Sequence, residues 1–399
     1  MRLSTRVRAI SPSPTLAVDS LTKQMLQEGK DVINFSVGEP DFDTPEHIKD
    51  AAIQAMAAGF TKYTAVAGIS ELRRAIAEKL EADNGLAYSP DQIVVSNGGK
   101  HSLYNVFMAL CEPGDEVILQ APYWVSYPEI IKLAGGIPVA VETTARDGFK
   151  MTPDMIREKL TPRTRLVILN SPSNPTGAVY SRRELEAIAE LALAQDLVVV
   201  ADEIYEKLVY DGTEHVSIAS LGPEMKKRTV VINGFSKAYA MTGWRMGYAA
   251  SELDLAKAMS ALQGHSTSNA SSITQKAAIA ALKGPQDPIA RMVEAFSERR
   301  DLTVKLVREL PGFDLPGVPQ GAFYVFPDVS GLLGKTIAGQ RIDSSDQLCK
   351  VLLAQAGAAV VPGGGFGAPG YVRISYATRQ DLLREGLGRI KRVLQTASA

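Results

Sequence analysis

Val230-Val231-Ile232-Asn233-Gly234-Phe235-Ser236-Lys237-Ala238-Tyr239-Ala240-Met241-Thr242-Gly243-Trp244-Arg245-Met246 opens on an apolar run with no polar alternation and breaks at Asn233-Gly234. Residues 229–232 therefore read as a strand buried on both faces, the kind that parallel sheets covered by helices contain. Asn-Gly is a turn former and ends it. Lys237 then falls in a loop of small and aromatic residues, with Arg245 further along the same loop. A lone lysine is more often a solvated surface residue. A buried one loses its proton readily and condenses with carbonyl compounds, so the company Lys237 keeps decides its reading.

Working outward, the same pattern recurs. Short β-rich runs stand at 116–120, 166–170 and 197–201, with helical stretches such as 181–195 between them. Thr44-Pro45-Glu46 reads as an N-cap with proline at the first helical position, and Gly59 as a stop. Ser70 opens a second amphipathic helix that ends near Asn84-Gly85, and Gly98-Gly99 precedes a helical pattern over 100–110. Alternating strands and helices predict an α/β fold, a large domain with a mostly parallel sheet between helices. Beyond Pro285 the texture changes to a long charged helix over 287–310, strands at 321–326, 358–361 and 371–376, and helices at 345–355 and 380–394. That predicts a smaller α+β domain. The expected boundaries are 1–44, 45–287 and 288–399.

A chain of 399 residues is too long for one small core, and its 45% apolar and 22% charged content is that of an ordinary globular protein. The formal net charge of −1 gives no footprint for nucleic acid or an anionic membrane surface. No apolar run reaches the roughly 18 residues of a spanning helix. The basic start, 1–10, has no apolar core behind it, so no secretory signal is expected. Two cysteines, Cys111 and Cys349, fit a reducing cytoplasm better than a disulfide framework. His47, His101, His215 and His265 are scattered and pair with no acidic or cysteine cluster at ligand spacing, so no metal site is expected. Asn269-Ala270-Ser271 matches a glycosylation sequon by chance in such a setting. The Pro/Ser-rich piece 11–15 and the Gly-rich piece 362–370 are the nearest things to linkers.

In open α/β sheets ligands bind beyond the carboxyl ends of strands. Three polar clusters lie at such ends: 170–177, Asn-Ser-Pro-Ser-Asn-Pro-Thr-Gly; Asp202-Glu203-Ile204-Tyr205; and Ser236-Lys237. Singly each has a bland account as a turn or a helix cap. Together they supply what pyridoxal 5'-phosphate needs. Lys237 would hold the aldehyde and then act as general base. Asp202 would keep the ring nitrogen protonated, so the ring serves as an electron sink. Tyr205 and Asn174 would hydrogen-bond the ring oxygen, and Trp124 would stack on the ring. Gly98-Gly99 at a helix start, with Ser236 and Arg245, would cradle the phosphate. An ordinary lysine titrates near roughly 10.4, so Lys237 must be tuned well down.

These residues sit in longer stretches: 37–45 (Val-Gly-Glu-Pro-Asp-Phe-Asp-Thr-Pro), 61–64 (Thr-Lys-Tyr-Thr), Gly98-Gly99-Lys100, 122–129 (Pro-Tyr-Trp-Val-Ser-Tyr-Pro-Glu), Asn174-Pro175-Thr176-Gly177, 202–206, 241–248 and 372–377. In that order the chain resembles the class I/II aminotransferases, fold-type-I pyridoxal phosphate enzymes, along nearly its whole length. It is most similar to their bacterial aspartate-specific branch with lysine after Gly-Gly. The resemblance implies a seven-stranded-type sheet in the large domain and an N-terminal segment, 1–44, that packs with the small domain and closes the site. It implies that Arg373 clamps the substrate α-carboxylate and that Gly38 lets the backbone approach the substrate. Trp124 and Asn174 would also line the substrate, and Gly99 and Lys100 the cofactor. Lys100, with Ser13 and Thr15, would meet the distal carboxylate. Tyr63 would reach the phosphate of the other subunit in a homodimer. The reaction implied is ping-pong transfer of the amino group from L-aspartate to 2-oxoglutarate. Ser11 stands where relatives that accept prephenate carry a basic residue, which favours the dicarboxylic amino acids.

Two rival readings remain. Gly365-Phe366-Gly367-Ala368-Pro369-Gly370 matches a dinucleotide fingerprint, but a strand is expected after it rather than a helix, and it reads as a flexible turn beside Arg373. Other donors (glutamate, prephenate, alanine, aromatic amino acids), or a β-lyase, share the ring-holding set and differ only in the substrate pocket.

Overall fold

The structure, a computed structural model, describes residues 1–398; Ala399, which closes the third expected segment, lies outside them. Strands β1 (Ile93–Ser96), β2 (Glu116–Ala121), β3 (Ile137–Glu142), β4 (Thr164–Asn170), β5 (Val198–Asp202), β6 (Thr229–Gly234) and β7 (Gly247–Ala250) form one seven-stranded sheet. Its order is β1-β7-β6-β5-β4-β2-β3. The stretch from β6 to β3 pairs in parallel, and β7 runs antiparallel to both its neighbours. Period-two alternation sends successive side chains to opposite helical layers. Leu166, Ile168, Val200 and Ile232 pack with Val106 and Phe107 of the helix Gly99–Leu110. Val167, Leu169, Val199 and Ala201 pack with Leu185 and Ile188 of the helix Arg182–Ala194. Each fully buried Val, Leu or Ile contributes about 1.5–3 kcal/mol relative to exposure.

A second, three-stranded antiparallel sheet is built from β8 (Tyr324–Val325), β9 (Val361–Pro362) and β10 (Val372–Ser375), in the order β9-β10-β8. It shares one core with the helices Asp287–Arg308, Ser345–Ala356 and Gln380–Leu394. Tyr205, Leu208 and Tyr210, just past β5, belong to that core too, so the segment after Asp202 stitches the two sheets together. Ile33–Asn34 pairs in parallel with Ala358–Ala359. Among the described residues no helix is long and apolar enough to cross a membrane, and both cysteines are free and buried.

Several expectations are corrected. Thr44 does not cap the helix Glu46–Ala57: Pro45 holds the cap position without a side-chain bond. The Thr44 hydroxyl instead donates to Ala240 O at 2.7 Å and accepts from Trp244 Nε1 at 2.9 Å, bracing the Lys237 loop. The piece 11–15 is no linker, because Ser13 and Pro14 begin the helix Pro14–Gln27. The Gly-rich piece is no linker either: Gly363–Phe366 makes a tight turn whose Phe366 is fully buried, edge-on to Phe326 at 5.8 Å. The expected strand at 358–361 is split into Ala358–Ala359 and Val361–Pro362, which pair with different partners.

The histidine reading is corrected as well. His215 Nε2 lies 3.2 Å from Glu203 Oε2, and Glu203, Glu206 and His215 each offer a ligand atom within 4.8 Å of the others. The chain's own cations answer this cluster. Lys79 donates to Glu206 Oε1, and Asn84 Nδ2 to Glu206 Oε2 at 3.0 Å. Burial alone would raise the Glu206 carboxyl, but Lys79 and His215 hold it down to about 2. Burial opposes a charge on His215, yet Glu203 and Glu206 outweigh it and raise its pKa. Glu206→Gln is therefore expected to destabilise the fold by on the order of 3 kcal/mol at neutral pH. Because the folded pKa is depressed, the wild-type advantage is full above the unfolded value of about 4.3 and fades as pH falls towards 2. Urea unfolding of both proteins at pH 7 and pH 3 measures it; equal stability at pH 7 would mean Lys79 is satisfied without Glu206.

Candidate active site

The carboxyl ends of the central strands open into a cleft of about 410 Å³ that the second sheet closes from the other side. Ser13, Thr15, Gly38, Gly99, Lys100, Trp124, Asn174, Asp202, Tyr205, Ser236, Lys237, Arg245 and Arg373 all line it. Tyr63 does not; it is 91% exposed elsewhere on the surface.

Register explains the meeting of the strand-end residues. Asn170 at the end of β4 lies opposite Asp202 at the end of β5, and Asp202 lies opposite Ile232 of β6, so Ser236-Lys237 follow only a turn away. Asn170 Nδ2 donates to Asp202 O at 3.0 Å and its Oδ1 accepts from the Asn174 N–H at 2.9 Å, which sets the Asn174 turn against β5. Asp202 is buried, and burial pushes its carboxyl up to about 6 although the Tyr127 hydroxyl, donating to Oδ2 at 2.6 Å, works the other way.

Lys237 reaches into the cleft, where its ammonium donates to Gly38 O. Lys237 is half-buried there. That burial lowers its pKa to about 8, against the pull of Glu39 and assisted by Arg373 and Arg245. Arg373, in β10, is 2% exposed. Its Nη1 donates to Asn174 Oδ1 at 3.0 Å and its Nη2 to Ser36 O at 2.7 Å, while Nε has no partner. The guanidinium lies 4.4 Å over the Tyr324 ring and 5.2 Å over Phe366. Among the described residues neither Lys237 nor Arg373 has a carboxylate within ion-pair distance. A buried guanidinium and a half-buried amine without counter-ions make a cleft that calls for an anionic ligand.

At one end of the cleft Gly98, at φ 85°, starts the helix Gly99–Leu110. A Cβ there would sit 2.7 Å from Arg245 Nη2, so only glycine lets the arginine lie against the helix start. Arg245 itself has φ 53°, unusual for a non-glycine residue, and its Nη1 donates to Thr242 O at 2.8 Å. Free backbone N–H groups at a helix start, the Arg245 guanidinium and the Ser236 hydroxyl fit a phosphate. Lys100 Nζ lies 4.8 Å over the Trp124 ring, and burial together with Arg245 lowers its pKa. Ser13 and Thr15, whose hydroxyls are 2.8 Å apart, face the cleft from the start of the helix Pro14–Gln27.

The donor set fits a planar phosphorylated heterocycle with an aldehyde: a lowered amine, a buried acid, a helix-start cradle and an arginine left for a carboxylate. Sequence reasoning missed the parts played by Tyr127, Asn170, Ser36 and Tyr324. The first two lie inside stretches singled out for other members. Tyr324 reads as one more core aromatic in 321–326.

A family model described as aminotransferase class I and II matches residues 30–390. The chain is 50% identical to the aspartate aminotransferase of Geobacillus stearothermophilus over 99% of each chain. It is also 50% identical to the aspartate/prephenate aminotransferase of Cereibacter sphaeroides over 98% of each. The solved structure of the Rhizobium meliloti aspartate aminotransferase superposes with a TM-score of 0.96 at 46% identity, covering 100% of both chains. That of Thermus thermophilus with maleate does so at 0.93 and 45%, covering 99% of this chain and 100% of the other.

Proposed function

The chain belongs to aminotransferase class I and II, and from that premise we propose that it transfers the amino group of L-aspartate to 2-oxoglutarate, giving oxaloacetate and L-glutamate in a ping-pong cycle. The observation that carries this reading is a pair of counter-ion-free cations, the half-buried Lys237 and the buried Arg373, in one cleft with Asp202. The cofactor in this proposal is pyridoxal 5'-phosphate, which when bound supplies an aldehyde for an amine and a ring that takes up an electron pair.

The chain's residues then have separate tasks. Lys237 Nζ, partly neutral near pH 8, moves the proton at the substrate α-carbon. Asp202 would hold the ring nitrogen, Tyr205 and Asn174 the ring oxygen, and Trp124 the ring face. Gly99, Ser236 and Arg245 would hold the phosphate. Arg373 offers Nε and its remaining N–H groups to the α-carboxylate as a planar fork. Lys100, Ser13 and Thr15 would take the distal carboxylate. In this reading residues 45–287 hold the cofactor, 288–399 carry Arg373, and 1–44 close over the site. Tyr63 finds a phosphate to meet only in a second copy of the chain, so a homodimer is part of the proposal, as is a cytoplasmic setting.

A panel of amino donors tests the substrate. Aspartate and glutamate should convert the bound chromophore to its amine form fastest, with alanine and aromatic donors behind. Lys100→Leu is expected to lower kcat/KM for aspartate about 10- to 100-fold, the loss of a hydrogen bond to a charged group, and for alanine by no more than about 3-fold. Equal losses across all donors would remove Lys100 from substrate selection and with it the reason to choose a dicarboxylic amino acid.

A further inference from the structure

Tyr324 belongs to β8 of the small sheet and Tyr205 to the segment after β5, yet their hydroxyls lie 2.9 Å apart. Both side chains are buried, edge to face at 6.0 Å, and both line the cleft. Among the described residues neither hydroxyl has a second hydrogen-bond partner. Two phenols this close share one bond, and one proton is left to give away. The surroundings decide which. The Tyr324 ring is covered by Arg373 at 4.4 Å, and its oxygen lies against Gly38, where a Cβ would be only 3.2 Å away. A cation on the ring face withdraws electron density and makes its O–H the better donor. Burial raises both phenols, Tyr205 well above the ordinary value, and Arg373 works against the rise at each of them. On distance alone either oxygen could donate; Arg373 over its ring favours Tyr324 as the donor, which leaves the Tyr205 proton to point into the cleft.

We infer that Tyr324 is a positioning residue: its hydroxyl strengthens the hydrogen bond that Tyr205 gives to the anionic ring oxygen of the bound cofactor, while its ring carries the Arg373 clamp. The inference rests on the reading of the cleft as a pyridoxal phosphate site. One side chain thus supports both the group that binds substrate and the group that tunes the ring. A donor aimed at the ring oxygen favours the form in which that oxygen bears the charge and the lysine-linked nitrogen has lost its proton. Weakening it raises the pH at which the visible band titrates.

Tyr324→Phe removes the hydroxyl and keeps the ring under Arg373. With cooperative strengthening of roughly 10–30% per bond, the midpoint of the visible pH titration should rise by about 0.2–0.6 pH unit. In a Tyr205→Phe background the same substitution should give no further shift, since the bond it acts through is already gone. An unshifted midpoint in Tyr324→Phe, or an equal shift in both backgrounds, overturns the inference and leaves the proposed function standing. If cofactor-loaded wild-type protein shows no pH-dependent visible band, both fall together.

Discussion

Lys237→Ala is expected to leave the protein folded, unable to attach its cofactor covalently, and slower by more than about 10⁴-fold, the upper range for a single proton-transferring group. The physical basis is the tuned amine. At pH 7 a lysine with a pKa of about 8 is neutral roughly 300-fold more often than one at the ordinary 10.5. Burial in the cleft causes that shift; Glu39 opposes it, and Asp202 more weakly. Methionine or alanine at 237 would relieve the desolvation, so stability should not fall. Reduction with borohydride followed by mass measurement reads the attachment directly. Wild type should gain the mass of the reduced cofactor on the peptide bearing Lys237, and the variant should gain none. Attachment that persists in the variant would show that another amine does the work and would dismantle the proposed reaction.

Arg373→Ala should raise KM for every amino acid donor, with kcat/KM falling by roughly 10²–10³·⁵. That is the loss of about 3–5 kcal/mol when one partner of a buried charge pair is removed. The loss should not discriminate among donors, because all of them present an α-carboxylate, and in this it contrasts with Lys100→Leu. Arg373→Lys should recover only part, since an ammonium cannot reproduce the planar fork that stacks on Tyr324 and donates to Asn174 and Ser36 together. Steady-state kinetics on aspartate, glutamate and alanine decide the matter. A variant that loses aspartate alone would place Arg373 at the distal carboxylate.

The legible parts of the fold were those where one physical cause dominates. β4, β5 and β6 are buried on both faces, so their apolar runs stand out, and the helix Gln380–Leu394 has bounds that its periodicity marks at both ends. β3 was not legible because only one of its six residues is buried and three are exposed, so it reads as loop. β7, Gly247–Ala250, is only four residues long and three of them are Gly or Ala, and what holds it is its place between β1 and β6. In the cleft, the residues proposed to carry the chemistry could be named from sequence, whereas the residues that touch them could not. Tyr127 and Asn170 act by touching Asp202, and Tyr324 by touching Tyr205 and Arg373, contacts spanning up to 119 positions. His215 came to Glu203 through the loop after β5, which carries no periodic signal to follow.

The helix Pro14–Gln27 has a single buried residue, Thr22, whereas Asp202, Tyr205, Asn174 and Arg373 are locked between two sheets. The groups assigned to the reaction and those assigned to choosing its substrate thus sit on parts of very different rigidity. Ser13, Thr15 and their neighbours can be randomised in a laboratory library with little penalty to folding, while the same diversity at the strand ends would scramble the core. Retargeting such a protein to a bulkier or apolar side chain should begin on that loosely attached helix.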